Sequence, residues 1–262
     1  MIDRKHLVEK AVKDVSSNSR SNLKEITNTP NSGKSNKLKS PNQPDYHLRE
    51  KPKYRGHVHR QAFFASIILG FVLFYYAKDF RSKLATIIYF ASQLILFGVS
   101  STYHTTRWRS NKKEKFMQQL DHASIFILIA GTKTAVSMSL FEFSQEWVQQ
   151  MLIASWLISL FGTLKIFVWH NAPVAVNVAV YFIHGLSVVP FSYHFINEIS
   201  LFHLICLIMG GVFYLTGGVL FALEKPVLNP QVFGFHEVFH IFTILGNLSF
   251  MIPIAQSILL SQ

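Results

Sequence analysis

Cysteine is nearly missing from this chain, with a single residue, Cys206, among 262. No intrachain disulfide can form, and a zinc site made of several thiolates is excluded. Charge is sparse as well, at 15% of residues, and acidic groups are the scarcer sign, 14 Asp and Glu against 25 Lys and Arg. No cleavable leader is visible. Polar and charged residues precede the first apolar run, which starts near Ala62, so the first transmembrane helix is expected to serve as its own uncleaved signal. No internal repeat is evident, which argues against a transporter assembled from inverted repeats.

What the chain does contain is apolar material, 50% of residues, with 24 phenylalanines. It comes in stretches of roughly 20 residues, the length a helix needs to cross the hydrocarbon of a bilayer. A soluble domain of this size would break such stretches with charge. Seven segments are predicted, at 59–77, 84–104, 119–140, 148–169, 173–194, 201–222 and 236–259. The expected fold is therefore an all-α membrane protein, a seven-transmembrane-helix bundle over residues 55–262. Pro173 suits a helix first turn, and Pro226 and Pro230 break the chain between the sixth and seventh segments. Residues 1–54 are rich in Ser, Asn, Lys and Pro and have almost nothing to bury, so they are expected to be a disordered basic tail.

Basic residues set the expected orientation. Residues 1–60 hold 14 Lys and Arg against 6 Asp and Glu. Arg107, Arg109, Lys112, Lys113 and Lys115 follow the second segment, and Lys165 and Lys225 close the fourth and sixth. With seven crossings all of these share one side, which is expected to be cytoplasmic, with the C-terminus outside. The other side holds Lys78, Arg81 and Lys83 but also Glu142, Glu146 and Glu198. Trp147 and Trp169 stand near segment ends, as interfacial anchors do. The basic tail fits a cytoplasmic surface near anionic lipid. It has neither the aromatic interleaving nor the fold of a nucleic-acid binder, and no such partner is expected.

Ionisable groups inside hydrocarbon are costly, so each is a candidate for function. Ser100 and His104 lie four apart at the end of the second segment, on one helical face. Asp121 is expected to open the third segment, and His236 and His240, again four apart, open the seventh. The second segment runs inward and the third and seventh start inside, so these groups fall at similar depth although they are far apart in sequence. Three neutral imidazoles suit Zn²⁺, and three protein ligands leave a fourth position for water, as in catalytic sites. Asp121 is placed to orient that water or accept its proton. Ser100 can hydrogen-bond a developing oxyanion or a supporting group, and Glu237 and Tyr103 are further supporting candidates. A competing pattern is His236-Glu237-Val238-Phe239-His240, the H-E-x-x-H signature of zinc metalloproteases, in which Glu237 is the general base and Asp121 the third ligand. Lys133, about 18 Å along the helix from Asp121, is expected to snorkel toward the outer half or to contact a pore or a substrate. His184, His194 and His203 have no partner at ligand spacing and are expected to pack or lie at interfaces, His122 sits beside Asp121 but faces a different direction, and His57 and His59 lie at the first membrane entry.

Several dispersed motifs resemble the hemolysin III family, related to the progestin and adipoQ receptors. They are Arg55-Gly56-x-x-His59, Ser100-Ser101-x-Tyr103-His104, Leu120-Asp121-His122, Gly162-x-x-Lys165-x-x-x-Trp169, Tyr214-x-x-Gly217 and Phe233-Gly234-Phe235-His236-Glu237-x-Phe239-His240. The resemblance covers about residues 55–255 and is of the bacterial type. It implies seven helices, zinc held by His104, His236 and His240, Asp121 in contact with the water at the fourth position, and Ser100 in the same site. Related receptors and alkaline ceramidases imply hydrolysis of a lipid amide, and the expected mechanism is attack of zinc-activated water on the amide or ester carbonyl of a lipid that enters laterally. The family name implies a pore former instead, an oligomer in which the metal is structural, and the receptor kinship implies a signalling role. Lys133, Ala135 and Phe250 depart from the family pattern, which has an aromatic residue, a proline and often a histidine there.

Overall fold

The computed structural model describes residues 52–260 except 170, 227 and 230. Among these residues there is no strand, and each predicted apolar segment is helical. The helices are α1 (His57–Tyr76), α2 (Phe80–Thr105), α3 (Asn111–Leu140), α4 (Glu146–Val168), α5 (Val174–Leu186), α6 (Ser192–Glu198), α7 (Leu201–Ala222) and α8 (Phe235–Leu260). α5 and α6, joined by a 3-10 turn at Val189–Phe191, make one span, so seven spans are long and apolar enough to cross a membrane. The protein is a multi-pass integral membrane protein. The tail expected over residues 1–54 lies, up to residue 51, outside the described residues.

Burial follows helical periodicity. α1 buries His59, Ala62, Ser66 and Leu73 and exposes Phe64, Ile68, Phe71 and Tyr75, spaced four, three and four apart. In water that second face would be a liability; in a bilayer it is the lipid-facing stripe. α3 is the central helix, packed against α2, α4, α5 and α8, and its apolar window is the most buried of the seven at 67%. Without a hydrophobic driving force between helices in lipid, close packing needs small residues at the contact. Gly131 of α3 meets this need: a Cβ there would stand 2.6 Å from the Ser92 Cβ of α2. Two apolar cores fill the bundle. One gathers Tyr89, Phe90, Val148, Met151 and Ile254, the other Ala62, Leu96, Phe97 and Leu128 beneath the histidines.

Two helix boundaries differ from expectation. α3 begins at Asn111, so Asp121 is an interior residue and does not open the helix. An interior position also keeps it from complementing the dipole of a helix start. The run Asn111–Leu120 is polar and largely exposed, invisible to a search for apolar length, yet Lys, Glu, Gln and Met are good helix formers.

The fifth span, expected to be continuous over 173–194, stops at Leu186. Pro190 has no N–H to bond the Leu186 carbonyl four residues back. The carbonyls freed at this break need donors within hydrocarbon. Lys133 meets that need: its Nζ donates to the His184 carbonyl at 2.5 Å and to Ser187 Oγ at 2.7 Å. Its charge therefore sits at the carbonyl end of α5, where the helix dipole favours a cation, and the side chain does not extend outward as snorkelling requires. His184 is fully buried beside it, with Nε2 3.0 Å from Ser155 Oγ.

Candidate metal centre

Three helices bring the centre together. α2 supplies His104 in its last turn, with Ser100 one turn earlier. α8 supplies His236 and His240, one turn apart at its start, and α3 supplies Asp121 from its interior. His104 and His240 are buried and His236 is half-buried. One ring nitrogen from each lies within 4.8 Å of the others, a group that could hold a metal ion. His104 Nε2 and His236 Nε2 are 3.0 Å apart. Nitrogens on one tetrahedral zinc, each about 2.0–2.1 Å from the ion, are about 3.4 Å apart, so the His104–His236 separation is close to that of two ligands on one ion. The donor set thus fits a borderline ion such as zinc. Asp121 Oδ2 lies 3.4 Å from His104 Nε2, beside the Ser100 side chain, which is itself buried. Tyr103 packs its ring on His104, centroids 4.6 Å apart.

Glu237 lies outside this donor group. It is fully buried, and one carboxylate oxygen takes the Arg55 guanidinium while the other accepts the Gly234 N–H at 2.7 Å. A Glu three residues into a helix reaching back to the N-cap N–H is half of a capping box. These ties explain Glu237 as a fastener of the α8 start and disfavour the metalloprotease assignment, in which that carboxylate faces the metal.

The segment before α1 forms a collar around the centre. Lys53 and Tyr54 donate backbone N–H groups to the Gln231 and Val232 carbonyls, at 2.9 and 3.2 Å. Arg55 pairs with Glu237. Gly56, at φ +80°, lies against α2, and a Cβ there would be 2.7 Å from the His104 Cβ. His59 is buried and stacks on His240. Sequence reasoning placed His59 at the first membrane entry and left it out of the site. The Arg55-Gly56-x-x-His59 motif was the available signal, since each of its three named residues touches a different part of the centre. Lys133 and His184 belong to the fifth-span break, and His122, His194 and His203 do not join the donor group.

Fold and centre together define a seven-span membrane protein with a histidine cluster suited to a metal ion, built where α2 ends and α8 begins. The chain belongs to the Haemolysin-III related family, whose profile matches residues 48–251. Hemolysin-3 of Bacillus cereus is 24% identical to it over 160 residues, 61% of this chain and 68% of that protein.

Proposed function

We propose that this protein is a zinc-dependent hydrolase of a lipid amide or ester that reaches the centre laterally from the bilayer. The observation that supports this most directly is the carboxylate of Asp121 at 3.4 Å from His104 Nε2, the same nitrogen that lies 3.0 Å from His236 Nε2. An acid–base group thus stands beside three convergent nitrogen donors. Bound by His104, His236 and His240, zinc would supply Lewis acidity and make a water at its open position acidic near neutral pH. Asp121 accepts the proton of the attacking water and returns it to the leaving amine or alcohol. Ser100 holds Asp121 or donates to the carbonyl oxygen as charge develops there. Phe221, Phe235 and Phe239 surround His236, with ring centroids 5.2, 6.5 and 6.4 Å away, an apolar wall suited to an acyl chain.

Purified protein in lipid should carry stoichiometric zinc and release fatty acid from a ceramide-like substrate. His240→Ala should lose the metal. Asp121→Asn should keep it but slow release at least about 100-fold, the lower range for loss of a general base. Wild-type turnover in Asp121→Asn would rule out this role. The name of the Bacillus cereus relative favours a second reading, a cytolytic pore. Size-dependent osmolyte protection against dye leakage from vesicles would support it, and leakage without such protection would count against it.

In the hydrolase reading the centre faces the cytoplasmic leaflet and the C-terminus lies outside, because Arg107, Arg109, Lys112, Lys113 and Lys115 cluster on the side of His104. A thiol placed at Ser110 should resist an impermeant maleimide in intact cells. Rapid labelling there would reverse the orientation.

A further inference from the structure

We infer that His59 is a positioning residue for the metal centre, fixing the ring plane of His240 by stacking on it; this rests on the metal reading above. The two imidazoles are nearly parallel, centroids 3.6 Å apart and 12° between planes. No other ring contact of His240 is so close or so flat: His104 lies 5.4 Å away at 54°, His236 4.6 Å at 70° and Phe239 5.8 Å at 54°.

The need for such a contact follows from how ligating histidines are usually held. The ring nitrogen that does not bind the metal ordinarily donates to a carboxylate, carbonyl or water, which sets the orientation of the ring. His240 Nδ1 is buried and, among the described residues, has no hydrogen-bonding partner, so packing against the ring faces is what limits rotation about its last side-chain bond. His59 presses on one face of His240 and is itself held by Phe97, 5.0 Å away at 54°. His59 is only 2% exposed, and what it presents to His240 is the flat face of its ring.

Backbone geometry delivers that surface. Gly56 lets α1 start against His104, and Arg55 ties the same segment to Glu237 at the head of α8. His59, in the first turn of α1, is then set opposite His240, in the second turn of α8. The collar therefore holds two ligands by separate contacts, His104 through Gly56 and His240 through His59.

The test is zinc affinity of the purified full chain, measured by competition with a chromophoric chelator, alongside the thermal midpoint of each variant. His59→Ala should weaken zinc binding about 10–100-fold, the range for loss of a group that orients a ligand. His59→Phe keeps a flat ring and should stay within a few-fold of wild type. Wild-type affinity in His59→Ala would overturn the inference and leave the metal reading intact. An equal loss in His59→Phe and His59→Ala would also overturn it, by showing that a ring nitrogen is required. Absence of zinc binding by the wild type would instead sink the metal reading, a separate outcome.

Discussion

Arg55→Ala is expected to lower stability by about 3–5 kcal/mol, the cost of leaving one partner of a buried ion pair alone. Glu237 is fully buried, and its two oxygens are taken by Arg55 and by the Gly234 N–H. Without the guanidinium, a carboxylate remains in an apolar helix interface with one backbone donor. Glu237→Gln should be milder. Its amide oxygen can still accept from Gly234, and Arg55, with its side chain 20% exposed, can turn toward solvent. The double variant should be close to Glu237→Gln alone, far less destabilised than the two single changes added together. Chemical or thermal unfolding in detergent reads all three. An Arg55→Ala variant within about 1 kcal/mol of wild type would mean that the pair does not fasten the two helices. The same series tests the H-E-x-x-H assignment: a fastener predicts that Glu237→Gln retains zinc and most turnover, whereas a general base predicts a loss of about 100-fold or more.

Gly56→Ala should be damaging for two independent reasons. The residue sits at φ +80°, where a Cβ costs roughly 1–2 kcal/mol. That Cβ would also meet the His104 Cβ at 2.7 Å, Thr105 Cγ2 at 3.0 Å and the Ser101 carbonyl at 3.3 Å, an overpacking that costs about 1–3 kcal/mol. Together a loss of about 2–5 kcal/mol is expected, and zinc affinity should fall with it because the displaced atom belongs to a proposed ligand. Gly211→Ala is the control: no atom lies within 4 Å of its Cβ position, and alanine favours helix over glycine by up to about 1 kcal/mol. If Gly56→Ala unfolds and binds zinc as wild type does, the close approach of α1 to His104 is not a constraint.

Much of the architecture was legible because a bilayer imposes a simple rule. A crossing that is a helix must be apolar over about 20 residues. The runs in α2, α4 and α7 satisfy that rule, and their predicted positions lie within a few residues of the helices. The head of α3 was misplaced because its first three turns, Asn111–Leu120, stand among polar side chains where the rule is silent. The break in the fifth span was missed because Pro190 lies in an unbroken apolar run. Hydropathy registers apolar length but not a missing N–H. Lys133 looked like an outward-reaching charge for the same reason, since the His184 carbonyl lies in the last turn before the break and accepts from Lys133 and Ser187 there.

The candidate centre divides along similar lines. His104, Asp121, His236 and His240 could be grouped from residue type, i, i+4 spacing and the side of the membrane on which each helix end falls. His59 could not, because its importance lies in the angle and distance of one ring against another. Glu237 carried two readings from sequence, a supporting group near the metal and the base of the competing H-E-x-x-H pattern, and its tie to Arg55, 182 residues away, could be seen in neither.

The order of residues alone therefore determined the number of crossings and the depth at which the ionisable groups collect, because burial in lipid depends on composition along one axis. Tertiary structure decided which face each of those groups presents and what touches it. Those contacts join α1, α2 and α8 across more than a hundred residues, and lateral packing between helices leaves no period in the chain.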